Sequence, residues 1–393
     1  MLLTFYDAHS DWLKMLPLSY TRPVAKIRVG ILEIHEKWTK ALSAEQVAFR
    51  SEDYISDSFA SPKDKSLTIS GNVLPDSELV EMVSNLQESE AIMHEGQIIV
   101  GFYQPDEEVV LGTRKAVEIA EVSRVEYPWD IFRLNGEQIR RDFREITKSR
   151  KSQDIDDPFT RSYGTEIFLE KGASVKAAVL NAEQGPIYIG ENAEVQEGAL
   201  IRGPFALGAH SVVNMGAKLR GDTTVGPHCK VGGEISNSVF QGYSNKGHDG
   251  FLGNSVLGEW CNLGADTNNS NLKNNYANVK MWDFASGRFK DTGLQFCGLI
   301  MGDHSKCGIN TMFNTGTTVG VSANIFGEGF PRNIIPSFAW GGASGFSTYQ
   351  LRKVFETADL VMSRRGKSLT EADKAVLSHI FDITSENRVW DRK

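Results

Sequence analysis

The 393-residue chain has four cysteines, Cys229, Cys261, Cys297 and Cys307, and no Cys-x-x-Cys pair. That scarcity excludes a disulfide framework or a zinc ribbon as the organising device, and no metal site is expected. Basic charge is not in excess: 42 Lys and Arg stand against 50 Asp and Glu, a formal net charge of −8, which makes nucleic acid a poor partner. No stretch approaches the roughly 20 apolar residues of a membrane-spanning helix, so no membrane partner is expected. The opening Met1-Leu2-Leu3-Thr4-Phe5-Tyr6-Asp7 lacks the basic flank and the apolar length of a signal peptide, and a cytoplasmic location is expected.

What the sequence does contain is a period of six. Ile189, Val195, Ile201, Leu207, Val213, Leu219, Val225 and Val231 recur without a miss, and Ala193, Ala199, Phe205, Ser211, Ala217, Thr223 and Cys229 follow the first seven at four residues' distance. Gly190, Gly208 and Gly226 follow the aliphatic residue at every third repeat. A helix needs apolar spacing near 3.6 and a simple strand near 2, so an unbroken six indicates short strands and turns, three to a triangular coil. Coils of this kind stack by parallel strand pairing about 4.8 Å apart. The phase returns at Phe251, Leu257 and Leu263, and again at Met301, Cys307, Phe313, Val319 and Ile325. Cys229, Cys261 and Cys307 fall on phase and read as reduced packing residues.

Residues 1–147 show no such period and read as mixed α/β. Met1 to Tyr6 and Gln97 to Tyr103 are expected strands; Arg28 to Leu42, Ser77 to Leu86 and Gly136 to Thr147 are expected helices. A polar stretch at 148–160 reads as the linker and 161–342 as the solenoid, interrupted between Asn268 and Leu299. Insertions into rigid repeats tend to carry function. Residues 343–393 hold two expected helices, Thr348 to Arg365 and Leu369 to Ile383, the second with a capping-box-like Thr370-Glu371-Ala372-Asp373, and are expected to cap the open end.

The hexads resemble those of the left-handed β-helix acyltransferases. Asn245-Lys246-Gly247-His248-Asp249-Gly250-Phe251-Leu252-Gly253, followed by Leu263-Gly264-Ala265-Asp266-Thr267 and Ser270-Asn271, resembles the acetyltransferase half of the bifunctional glucosamine-1-phosphate acetyltransferase/N-acetylglucosamine-1-phosphate uridylyltransferase family. The resemblance implies a left-handed parallel β-helix, acetyl-CoA as donor, an amino-sugar phosphate as acceptor and a homotrimer. It puts His248 in the role of general base, a role that suits a side chain titrating near neutral pH; the plain alternative is a surface-loop histidine without a task. Asn262 and Asn271 would meet sugar hydroxyls or the thioester oxygen, or are ordinary solenoid-corner asparagines. Lys246 would hold a phosphate. Lys218 and Arg220 lie where the family meets the sugar phosphate, or are a solvated basic pair. Ser236 and Phe251 stand where the family has lysine and tyrosine.

Leu16-Pro17-Leu18-Ser19-Tyr20-Thr21-Arg22-Pro23 is similar to the Pro-Leu-Thr-x-x-Arg-Pro-Lys segment of sugar nucleotidyltransferases, which implies a Rossmann-like nucleotidyltransferase fold for residues 1–147. Val24 replaces the family's lysine, Lys26 lies two residues on, the glycine loop is missing, and Asn72 stands where a magnesium-binding aspartate belongs. A nucleotide site would rest on Asp7, Arg22 and Lys26, with magnesium and a nucleoside triphosphate as its ligands. Three functions follow: acetyl transfer at His248, nucleotidyl transfer with the solenoid as trimerisation scaffold, or non-catalytic binding of a sugar nucleotide.

Overall fold

Leu2–Tyr6 (β1), the first apolar run, is a central strand of a six-stranded sheet in the computed structural model, which describes residues 1–391. Leu3, Thr4 and Phe5 are all 0% exposed, as both faces of an interior parallel strand require. Helix α1 (His9–Lys14) follows; β2 (Gln46–Arg50) and β3 (Ser66–Ser70) flank β1 in parallel. The sheet continues through β5 (Gln97–Tyr103), antiparallel to β3, then β4 (Glu90–His94) and β6 (Lys115–Glu118). This unit comprises residues 1–15, 21–27 and 32–127. The helix expected over Arg28–Leu42 is shorter: α2 spans Ile34–Ala41, entered through a capping box between Glu33 and Glu36. Gly30 has φ +83, and a Cβ there would collide with Asp142 and Gln138, so the chain bends at this point instead of continuing a helix. α3 (Ser77–Asn85) begins on Asp76, whose carboxylate accepts from Leu79 N–H at 2.9 Å.

The second unit comprises residues 16–20, 28–31 and the chain from Pro128 on. Helix α4 (Pro128–Thr147) belongs here, so the compact boundary falls one helix earlier than the polar stretch at 148–160 suggests. The helix packs Ile139 and Phe143 against Phe168 and Ala206 of the solenoid, and its buried Asn135 accepts from Thr224 Oγ1 at 3.1 Å and donates to Asp222 O at 2.8 Å. Polar residues at the packed face conceal the attachment from a hydropathy reading.

The solenoid has parallel sheets of nine, ten and six strands, here the first, second and third faces; the second face ends in one antiparallel strand. Partners in regular coils lie 18 residues apart, as Ile189, Leu207 and Val225 do. Their side chains and those of Val195, Val213 and Val231 form one continuous core. Serines at the second inward position bridge coils: Ser211 Oγ donates to Gly226 O at 2.7 Å and accepts from Cys229 N–H at 2.9 Å. All four cysteines are free and buried. The glycine at every third repeat follows from contact between coils, because a Cβ on Gly208 would overlap Gly226 and Pro227 backbone, and one on Gly226 would overlap the carbonyls of Phe240 and Gln241. On the corner between first and second faces, His210, His228, Tyr243 and Trp260 stack at 4.9, 4.8 and 4.2 Å, all at positive φ.

Two expectations need correction. The register pairs Val231 with Lys246 and Ile235 with Leu252, so these coils hold 15 and 17 residues rather than 18, and Leu252 instead of Phe251 faces inward. The helices α5 (Leu351–Ser363) and α6 (Glu371–Ile383) do not simply cap the end: Lys367 lies over the Tyr243 ring at 5.5 Å, several coils below Phe338, which meets Phe381 at 5.0 Å. The last strand edge is covered by the antiparallel hairpin Ala339–Gly342/Gly345–Thr348, with Phe346 and Trp390 against the core. The capping box of Thr370 and Asp373 is present. The break in the repeats holds a second hairpin, Lys280–Asp283/Arg288–Asp291.

Gly226→Ala is expected to lower stability by about 1–3 kcal/mol through overpacking of the next coil, read from the urea midpoint, whereas outward-facing Lys230→Ala should stay within about 0.5 kcal/mol. Equal effects of the two would refute this account of the glycine series.

Candidate functional site at a solenoid corner

Lys246 occupies an inward position that Val195, Val213 and Val231 fill in earlier coils, and it is 1% exposed. Its stem replaces the aliphatic knob while its ammonium turns to the corner between the second and third faces. There Nζ donates to the carbonyl oxygens of His248 at 2.6 Å, Asp249 at 3.0 Å and Gly232 at 3.3 Å. An ammonium has three donors, and all three are used. Burial lowers its pKa to about 8. The expectation that Lys246 holds a phosphate is therefore corrected: the charge faces inward as a brace.

The brace acts on the bend Gly247-His248-Asp249-Gly250. Asn214 Nδ2 donates to Gly247 O at 2.7 Å, Asp266 N–H to Asp249 O at 3.1 Å and Glu234 N–H to Gly250 O at 3.1 Å. Every carbonyl of the bend is thus held, and the His248 side chain itself is exposed. Among the described residues the structure gives neither the His248 ring nor the Asp249 carboxylate a hydrogen-bond partner. The backbone under the accessible imidazole is thus fixed by these bonds.

The other expected residues gather unevenly. Asn262 lies on the outward side of the second face between Asn245 and Lys306, in the coil next to the bend. Asn271 is at the far end of the third face, donating to Asn254 Oδ1 at 2.8 Å, on the order of 10 Å from the His248 corner by the length of a three-residue strand. Lys218 and Arg220 are exposed on the third face; Lys218 pairs in register with Glu234, and the Arg220 guanidinium meets the Glu234 carboxylate at 3.5 Å. Asn214 and the bracing role of Lys246 were missed by spacing alone. Lys246 falls on phase only when coil length is allowed to drop to 15.

In the first unit, Asp7, Ser51 and Gly71-Asn72 follow the carboxyl ends of β1, β2 and β3, where ligands of open α/β sheets bind. Asp7 is 7% exposed; its Oδ2 accepts from Val24 N–H at 2.9 Å, and its Oδ1 has no hydrogen-bond partner among the described residues. Burial pushes its pKa up to about 7. Arg22 is 7% exposed, and Lys26 is paired with Glu33 at 2.7 Å. Asn72, 3% exposed, accepts from Ser70 Oγ at 3.0 Å. One enclosed carboxylate and a neutral, committed amide do not fit a magnesium ion, which prefers accessible carboxylates and its own waters, and no group of three His, Cys, Asp or Glu that could hold a metal occurs among the described residues.

Two outcomes are expected. Lys246→Met keeps the apolar stem but leaves the carbonyls of His248 and Gly232 without this donor while Asp249 O keeps Asp266 N–H, lowering stability by about 1–3 kcal/mol; amide exchange should accelerate around residues 247–250, and unchanged exchange there would refute the brace. For Asp7 the folded pKa lies above the usual aspartate value near 3.9, so the stability its protonated form confers is complete below that value and is lost as pH rises through about 7. Asp7→Asn, still able to accept from Val24, should melt several degrees above the native chain at pH 8 and show little gain at pH 4; a gain independent of pH would contradict this.

Residues 3–151 match the family model described as sugar nucleotidyl transferase. A bifunctional sugar-1-phosphate nucleotidylyltransferase/acetyltransferase from Sulfurisphaera tokodaii is 34% identical over 145 residues, 36% of this chain and 36% of the relative. The bifunctional protein GlmU from Methanocaldococcus jannaschii is 33% identical over 87 residues, 22% of this chain and 21% of the relative. The matched stretches therefore span about a third or less of these relatives' lengths. Among solved structures, the polySia-specific acetyltransferase NeuO has 16% identity and a TM-score of 0.27, covering 50% of this chain and 85% of that one. The Arabidopsis UDP-N-acetylglucosamine acyltransferase has 12% identity and a TM-score of 0.26, covering 60% and 94%. The front of the chain, with its Pro-Leu-Ser-x-x-Arg-Pro segment, thus matches the sugar nucleotidyl transferase family across residues 3–151, and the strand ladders put a parallel β-solenoid after it in the same chain.

Proposed function

We propose that the chain is a sugar-phosphate acyltransferase of nucleotide-sugar biosynthesis, moving an acetyl group from acetyl-CoA to the amine of an amino-sugar phosphate. The observation that carries this reading is the exposed His248 on a bend whose four carbonyls are all held. His248 accepts the amine proton as nitrogen attacks the thioester carbon; the C–N bond forms, the C–S bond breaks, and the CoA thiolate leaves and is protonated. Asn262, one coil on, would meet a sugar hydroxyl or the thioester oxygen. Asn271, Lys218 and Arg220 would serve acceptor groups that extend across the third face. Two relatives support the reading by name, since one is a nucleotidylyltransferase/acetyltransferase and the other a bifunctional protein. A homotrimer and a cytoplasmic location belong to the same proposal.

A second reading, sugar-1-phosphate nucleotidyl transfer in the first unit, is favoured by the match over residues 3–151. It would rest on Asp7, Arg22 and Lys26, and the enclosed Asp7 and the Lys26–Glu33 pair weigh against it.

His248→Ala should reduce CoA release in the presence of an amino-sugar phosphate by about 10²- to 10⁴-fold with an unchanged melting temperature, because the ring is exposed. CoA release that survives the substitution sinks the first reading, and pyrophosphate release from a nucleoside triphosphate that survives it supports the second.

A further inference from the structure

A cleft of about 530 Å³ lies within the second unit, lined by the insertion hairpin, the terminal hairpin and the last short helical turn. Neither His248 nor Lys246 lines it, so it is separate from the corner described above. Its volume falls in the roughly 300–1,000 Å³ range of small-molecule sites. Four aromatic side chains, Trp282, Phe284, Phe346 and Trp390, are half-buried in its walls. Each is held by a neighbour. Trp282 meets Phe289 edge-on at 5.3 Å, and Phe284 meets Tyr20 likewise at 6.0 Å. Trp390 donates its indole N–H to Thr348 Oγ1 at 2.9 Å and lies 5.6 Å from Phe346. Rings fixed in this way keep apolar surface open to a ligand at little entropic cost.

Among the described residues, Arg332 is the one cation that lines the cleft, and it is exposed and without an ion pair. An exposed guanidinium beside ordered aromatic walls matches a planar ring that carries phosphate: the ring stacks, and the fork of N–H donors takes the anion. Glu386 also lines the cleft, and its carboxylate can accept from sugar hydroxyls. We infer that this cleft binds a nucleoside phosphate, with the base against the aromatic walls and the phosphate on Arg332. The same chemistry is offered by a free nucleotide and by the adenosine phosphate end of CoA. The inference does not depend on acetyl transfer.

Calorimetric titration of the full chain tests it, with ADP, UDP, CoA, ribose 5-phosphate and inorganic phosphate as probes. Saturable binding of at least one base-bearing probe is expected, with ribose 5-phosphate and inorganic phosphate at least tenfold weaker. Arg332→Gln, an exposed substitution, should weaken that binding roughly tenfold or more, and Trp282→Leu should weaken it by a similar factor through lost stacking. Binding of CoA without ADP or UDP supports the site with CoA as the source; binding of ADP or UDP supports it with a free nucleotide. No binding by any base-bearing probe overturns the inference, and so does binding that persists undiminished in Arg332→Gln, since the nucleotide would then sit elsewhere.

Discussion

An inward side chain in a stacked coil has the coils above and below as its surroundings, and no water. The rest of the solenoid follows from that constraint. Aliphatic residues satisfy it by contact alone, as Ile189, Leu207 and Val225 do. Small polar residues satisfy it by donating to and accepting from the neighbouring coil, as Ser211, Ser244 and Ser305 do. Glycine meets it where the next coil's backbone comes closer than any Cβ permits. A charged residue is admissible only when its stem packs and its head group is fully hydrogen-bonded.

Lys246 meets those terms at one place, and the candidate site is there. Shortening the coil to 15 residues brings the ammonium beside the corner carbonyls, so a residue that ought to weaken the core stiffens the bend that carries His248. The imidazole inherits a rigid base without being buried, which leaves its protons accessible. In the proposed reaction, stability and chemistry would be linked through Lys246.

The first unit shows the opposite economy. Its strand ends converge on Asp7, and the positions that would open a nucleotide site are occupied from within: Val24 N–H lies on the carboxylate, Glu33 on Lys26, Ser70 on Asn72. A stretch that matches a sugar nucleotidyl transferase family model thus has these polar groups turned to one another. The aromatic cleft of the second unit differs in that its guanidinium has no such partner among the described residues.

Much of this was legible in the residues. The hexad series specifies the solenoid because inward spacing depends only on strand and turn lengths, which are local. The strand at Leu2–Tyr6, the caps at Asp76 and Thr370, and the reduced cysteines are local in the same sense. The helix at 34–41 and the phase at Phe251 were misread because Gly30 answers to Gln138 and Leu252 to Ile235, partners distant in sequence. Helix α4 lies inside the stretch that the family model matches, and its packing with the second unit was not legible because its packed face carries Asn135 and Asp142, polar groups whose partners are equally remote. The sequence by itself determined the architecture and the identity of the exposed histidine. Only the tertiary structure decided that Lys246 braces instead of binding, and that four aromatics and Arg332 share one cleft, because both depend on stacking between segments that the chain brings together only when folded.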